Sequence, residues 1–109
     1  MLGKLLEPAP LRLEAVEPAD GSLIVWFNRE PELLFEPVLG TLNYRFAKAY
    51  GREQAGQLQV HNSFVNWRVE RNQRGDLQLL LVAPRPLSGQ WRGAAEDGRW
   101  RVELALRLE

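Results

Sequence analysis

Gln90-Trp91-Arg92-Gly93-Ala94-Ala95-Glu96-Asp97-Gly98-Arg99-Trp100-Arg101-Val102-Glu103-Leu104 reads as a β-hairpin. Asp-Gly is the strongest short-range hairpin signal, because a type I′ turn needs two central residues with φ > 0. With Asp97 and Gly98 at the tip, Ala95 faces Trp100, Gly93 faces Val102 and Trp91 faces Leu104. These six side chains share one face, and all are apolar or small. On the other face Arg92 lies opposite Glu103, a pair of opposite charges. Turn chemistry and side-chain pattern therefore agree on one register, and the class they set is antiparallel β.

Working outward from this hairpin, the chain shows further strand signals. Leu11, Leu13 and Ala15 alternate with Arg12 and Glu14, and Pro18-Ala19-Asp20-Gly21 follows as a turn. Ser22–Phe27 (Ser-Leu-Ile-Val-Trp-Phe) is apolar at five consecutive positions, the mark of an interior strand covered on both faces. Leu58 and Val60 occupy even positions, whereas Val65, Trp67 and Val69 occupy odd ones. That parity change requires a bend, bulge or turn at His61-Asn62-Ser63. Phe64–Arg71 and Leu77–Val82 pair with Val69 opposite Leu79, Trp67 opposite Leu81 and Val65 opposite Ala83. Pro84-Arg85-Pro86 then breaks the sheet before the final hairpin.

Residues 28–50 carry competing signals. Asn28-Arg29-Glu30-Pro31 resembles a helix start, with Asn as cap and Pro in the first turn. Val38, Leu42, Phe46, Ala49 and Tyr50 fit a helical stripe capped by Gly51. Leu42, Tyr44 and Phe46 also alternate with Asn43 and Arg45, as in a strand. The Ala-rich end and Gly51 favour the helix for residues 38–50. The expected architecture is thus mainly β, or α+β if residues 38–50 are helical. It is an antiparallel sandwich or partly open barrel of six to eight short strands with at most one or two helices. Residues 1–10 are expected to form a loose N-terminal arm, and residues 11–109 a single mainly-β domain.

A chain of 109 residues with 45% hydrophobic side chains and four tryptophans can bury a core without staples. Fourteen basic residues balance fourteen acidic ones, so the electrostatic footprint that drives nucleic-acid binding is missing. The absence of cysteine excludes disulfides, thiolate metal sites and cysteine nucleophiles. A single histidine, His61, excludes a multi-histidine metal site within one chain. Met1–Leu6 is basic and apolar, but Glu7 and Pro8 end it short of the roughly 7–15 apolar residues of a signal peptide. The expectation is a soluble, cytoplasmic protein that binds no membrane.

His61-Asn62-Ser63 is the most site-like spot, combining the only imidazole with an amide and a hydroxyl at a strand irregularity. Its bland reading is a turn whose polar side chains satisfy backbone groups. Glu14, Glu17 and Asp20 gather carboxylates at the first turn, where backbone reasons also favour acidic residues. Trp26, Trp67, Trp91 and Trp100, with Phe27, Phe64 and the tyrosines, could form a stacking platform. Trp67, Trp91 and Trp100, however, fall on the apolar faces of their strands and read as core. Asn66 and Arg68 lie on the opposite, polar face. These patterns lead to a non-catalytic binding or protein-interaction module, its binding residues drawn from His61, Asn62, Asn66 and Arg68. No catalytic residue, metal ligand or cofactor is implied. A protein partner or self-association is expected, the latter through Trp100–Leu108 if that strand lies at an edge. The alternatives are a small-ligand binder or enzyme centred on His61-Asn62-Ser63, and single-stranded nucleic-acid binding on a sheet face, against which the zero net charge argues.

Overall fold

In the computed structural model, the structure describes residues 10–36 and 40–109. Nine strands and no helix occur among them. They are β1 (Leu13–Ala19), β2 (Ser22–Phe27), β3 (Leu33–Phe35), β4 (Thr41–Phe46), β5 (Gln54–Val60), β6 (Ser63–Arg71), β7 (Leu77–Val82), β8 (Leu87–Glu96) and β9 (Arg99–Leu108). A four-stranded sheet has the order β1-β2-β9-β8, and a five-stranded sheet the order β3-β4-β7-β6-β5. Every ladder between named strands is antiparallel. Apart from residue 10, the segment read as an N-terminal arm lies outside the described residues.

The final hairpin has the register its sequence dictates: Ala95–Trp100, Gly93–Val102, Trp91–Leu104 and Arg92–Glu103. Asp97 and Gly98 both take positive φ, 52° and 77°, as a type I′ turn demands. Trp67–Leu81 and Val69–Leu79 also pair as read, while β7 stops at Val82, short of a Val65–Ala83 pair. The apolar runs Leu23–Phe27 and Leu79–Val82 both lie in interior strands. β2 lies between β1 and β9, and β7 between β4 and β6.

The helix expected over residues 38–50 is not formed among its described residues, 40–50. Thr41–Phe46 is a strand that places Leu42, Tyr44 and Phe46 opposite Leu81, Leu79 and Leu77. Pairing with a central apolar strand outweighs the helical stripe, because it buries all three side chains. Gly40 (φ 78°) is a turn residue before the strand, and Lys48 (φ 53°) turns the chain after it. The Lys48 backbone N–H donates to Asp76 Oδ1 at 2.8 Å. The helix start read at Asn28 is also absent. Asn28 Oδ1 accepts from the Arg12 backbone N–H at 2.7 Å, and its side-chain amide donates to the Pro10 carbonyl. This side chain pins the entry to β1, and β3 supplies the ninth strand, beyond the six to eight expected. Trp100–Leu108 is interior rather than an edge; the edges of that sheet are β1 and β8.

The inner faces of both sheets meet in one core. Val25 and Phe27 of β2, Val102 and Leu104 of β9, Tyr44 of β4, Val65 of β6 and Leu79 of β7 are almost wholly buried. The Phe27 and Phe46 rings bridge the sheets with centroids 4.7 Å apart. Two indoles lie on strand glycines. A Cβ built on Gly56 would stand 2.6 Å from Trp67 Cζ2, and one on Gly93 would collide with the Trp100 Nε1. Trp91 departs from its core reading. It keeps the apolar row of β8 but is 47% exposed, because the second sheet does not cover this part of the strand.

Tyr44 is 0% exposed and its hydroxyl has no hydrogen-bond partner among the described residues. Burial pushes the phenol up to about 12. The fold therefore favours the protonated form. Its contribution to stability is complete below the ordinary tyrosine value of 10.0 and is lost as pH rises through about 12. Tyr44→Phe removes a buried, unpaired hydroxyl and is expected to stabilise the protein by about 1–2 kcal/mol. It also flattens the alkaline loss of stability. Urea unfolding across that pH range measures both effects; a destabilised variant would reveal a partner for the hydroxyl.

Candidate functional site

Strand alternation sorts β6 into two rows. Val65, Trp67 and Val69 enter the core, so Phe64, Asn66, Arg68 and Glu70 stand on the outer face of the five-stranded sheet. The same parity sends Leu80 and Val82 of β7, Thr41 of β4 and Ala55 of β5 to that face, because each is paired with an outward residue of its neighbour. Two depressions adjoin there. One, of about 490 Å³, is lined by Thr41, Ala55, Asn66, Arg68, Leu80 and Val82 among others. The other, of about 510 Å³, is lined by Asn62, Ser63, Phe64, Asn66, Val82 and Pro84 among others. Asn66 and Val82 belong to both, so the depressions form a continuous groove along the sheet face.

The groove brings together three of the four residues singled out from the sequence: Asn62, Asn66 and Arg68. His61 is not among its lining residues. His61 and Asn62 form the two-residue turn between Val60 and Ser63, with His61 exposed at φ 56°. The His61 carbonyl accepts from Gln59 Nε2 at 3.1 Å. The parity change is thus a hairpin turn, and the imidazole sits on its tip.

Local hydrogen bonds set the polarity of the groove. Gln57 Nε2 donates to Asn66 Oδ1 at 2.9 Å, which engages the amide oxygen and orients the Asn66 side chain. Arg68 pairs with Glu70 at 3.3 Å while its side chain stays 64% exposed. Between these polar groups, Phe64 is 58% and Val82 45% exposed. Phe64 lines the groove although the sequence reading named it only as part of a stacking platform and not among the binding residues. Its even parity with Asn66 and Arg68 was the available signal.

The remaining constellations are accounted for as structure. Glu17 Oε1 accepts from Trp26 Nε1 at 2.9 Å, and Glu14 lies 3.8 Å from Arg99, which stacks over the Trp26 ring at 4.2 Å. Trp26 is thereby roofed on the solvent side of β2. No group of three potential ligands is placed to hold a metal among the described residues. On the outer face of the other sheet Glu103 lies between Arg101 at 3.2 Å and Arg92 at 3.5 Å. The Arg101 hydrogen bond, followed by the Arg101 and Arg92 charges, holds its carboxyl below 4.5. That stabilisation is present above the ordinary carboxylate value and is lost as pH falls through the lowered one.

Two packed antiparallel sheets, one carrying an open groove with an apolar floor, define a nine-stranded β-sandwich with a candidate binding face. Comparison with known proteins adds no relative: no protein family matches the chain, and no curated protein or solved structure is significantly similar to it. No helix among the described residues is long and apolar enough to cross a membrane.

Proposed function

We propose that this protein is a non-catalytic binding module that holds a protein partner on the outer face of its five-stranded sheet. The observation that carries this reading is the exposure of Phe64 and Val82 side by side in one groove, rimmed by Asn62, Asn66 and Arg68. An apolar centre with a hydrogen-bonding rim is the anatomy of a protein interface. The partner presents an apolar side chain to Phe64 and Val82 and an acceptor or carboxylate to Asn66 and Arg68. A cytoplasmic setting suits the cysteine-free chain.

The test is crosslinked capture from cells of the source organism, comparing wild type with Phe64→Ser/Val82→Ser and with Arg107→Ala on the other sheet. Both groove positions are exposed, so the double variant keeps its fold. One protein recovered by wild type and by Arg107→Ala, and reduced about tenfold or more by the groove variant, is the expected result. Equal recovery by all three would end the proposal. A second reading is a small-ligand site, favoured by a groove volume within the roughly 300–1,000 Å³ of ligand pockets. It centres on Asn66 and Arg68 rather than on His61. A ligand whose thermal stabilisation of the protein disappears in Arg68→Ala supports that reading, and an oligonucleotide among such ligands would select the nucleic-acid version.

A further inference from the structure

Among the described residues, four strands bound the two sheets: β1, β8, β3 and β5. A free edge is a template for another strand unless something guards it. Three of these edges are guarded. β1 has a register irregularity between Leu13 and Ala15 and carries Glu14, Glu17 and Pro18. β3 is only three residues long. On β5 the Gln59 carbonyl already accepts from the Gly21 N–H at 3.2 Å. β8 is different. It runs for ten residues in unbroken register with β9 and contains no proline.

The hydrogen-bond phase of this edge follows from its turn. In a type I′ turn Glu96 and Arg99 form a hydrogen-bonded pair. Alternation then directs the backbone groups of Ala94, Arg92 and Gln90 into β9 and those of Ala95, Gly93, Trp91, Gly89 and Leu87 to the free edge. These outward residues are also the apolar row of the strand. In that row Trp91 is 47% exposed, between Gly89 and Gly93.

We propose that β8 pairs antiparallel with β8 of a second copy of this chain, about a two-fold axis at Trp91. Leu87 then lies opposite Ala95 of the second copy, Gly89 opposite Gly93, and Trp91 opposite itself, so the pairing runs from Leu87 to Ala95 on both copies. Charge selects this register. An axis one residue further, at Arg92, gives a pairing of equal length but sets two like charges directly opposite each other. The axis at Trp91 places Arg92 opposite Gln90 instead. An axis at Ala94 pairs Arg92 with Glu96 but leaves Trp91 outside the strand pairing. The product is one continuous eight-stranded sheet, β1-β2-β9-β8-β8-β9-β2-β1. A strand pair of about 30 Å with two half-exposed indoles is at the small end of specific interfaces, below about 1,200 Å². The dimer is therefore reversible and concentration-dependent. It leaves the groove of the other sheet free, so it stands or falls apart from the partner-binding reading.

Sedimentation of the full chain from about 1 μM to about 1 mM is the test. Wild type shifts from monomer to dimer over that range. Trp91→Lys and Trp91→Glu, whose charges oppose themselves across the axis, each weaken dimerisation about tenfold or more, and an equimolar mixture of the two restores it. Ala95→Pro removes one outward N–H, leaves the β9 ladder intact and weakens the dimer likewise. A wild type that stays monomeric throughout would overturn the proposal. So would charged variants that dimerise like wild type, because the contact would then use another surface. A mixture that remains monomeric would overturn the two-fold at Trp91.

Discussion

Phe27→Ala is expected to lower the unfolding free energy by about 3–5 kcal/mol, the largest effect of any substitution considered for this protein. Phe27 is 0% exposed at the end of the interior strand β2, and its ring meets Phe46 of the opposite sheet at 4.7 Å. Truncation removes the apolar burial and leaves a cavity between the sheets, where backbones already held in two ladders cannot collapse to fill it. Domains of this size are stable by only about 5–15 kcal/mol, so the variant sits near the edge of folding. Urea unfolding monitored by tryptophan fluorescence reads the change. A loss under about 1 kcal/mol would show that the ring does not join the sheets.

Gly98→Val is expected to cost about 2 kcal/mol or more, since Gly98 has φ 77° and β-branched residues resist that region. In a domain of roughly 100 residues this corresponds to a fall in Tm of about 10 °C. No heavy atom outside the adjacent residues lies within 4 Å of a Cβ built on Gly98, so the penalty is conformational and not a clash. Asp97→Gly is the matched control. Asp97 already occupies φ 52°, and relieving it changes stability little. Equal melting of Gly98→Val and wild type would refute the type I′ turn.

Much of this fold was legible because local and non-local signals coincide. In the β8–β9 hairpin, turn residues, apolar row and charge pair all name one register, and the structure has it. β2 was legible as an interior strand because its five consecutive apolar residues leave it no polar row. Residues 41–46 were not, because Leu42 and Phe46 fit both periods. The deciding partner, β7, lies more than thirty residues away, and a local stripe carries no trace of it. The groove was half legible. Parity alone puts Asn66 and Arg68 on the outer face, whereas the exposure of Phe64 and Val82 depends on nothing being packed over that sheet. Trp91 shows the same limit: its row is readable, but how far the opposite sheet extends beneath it is not.

The wiring of the four-stranded sheet sets an order in time. Its strands come from the two ends of the described chain, β1 and β2 from one and β8 and β9 from the other, while all five strands of the second sheet lie between them. During synthesis β3 to β7 can complete their ladders while β2 still lacks its neighbour β9. Until β9 emerges, the Leu-Ile-Val-Trp-Phe run of β2 has one open edge, and the inner face of the five-stranded sheet lacks half its cover. Such distant pairings form late and slowly, and uncharged β-rich runs are where nascent chains stick to one another. The β8–β9 hairpin, made after every other described strand, is thus the one that closes the core, and a ribosome that stalls ahead of it leaves a chain with both halves of that core exposed.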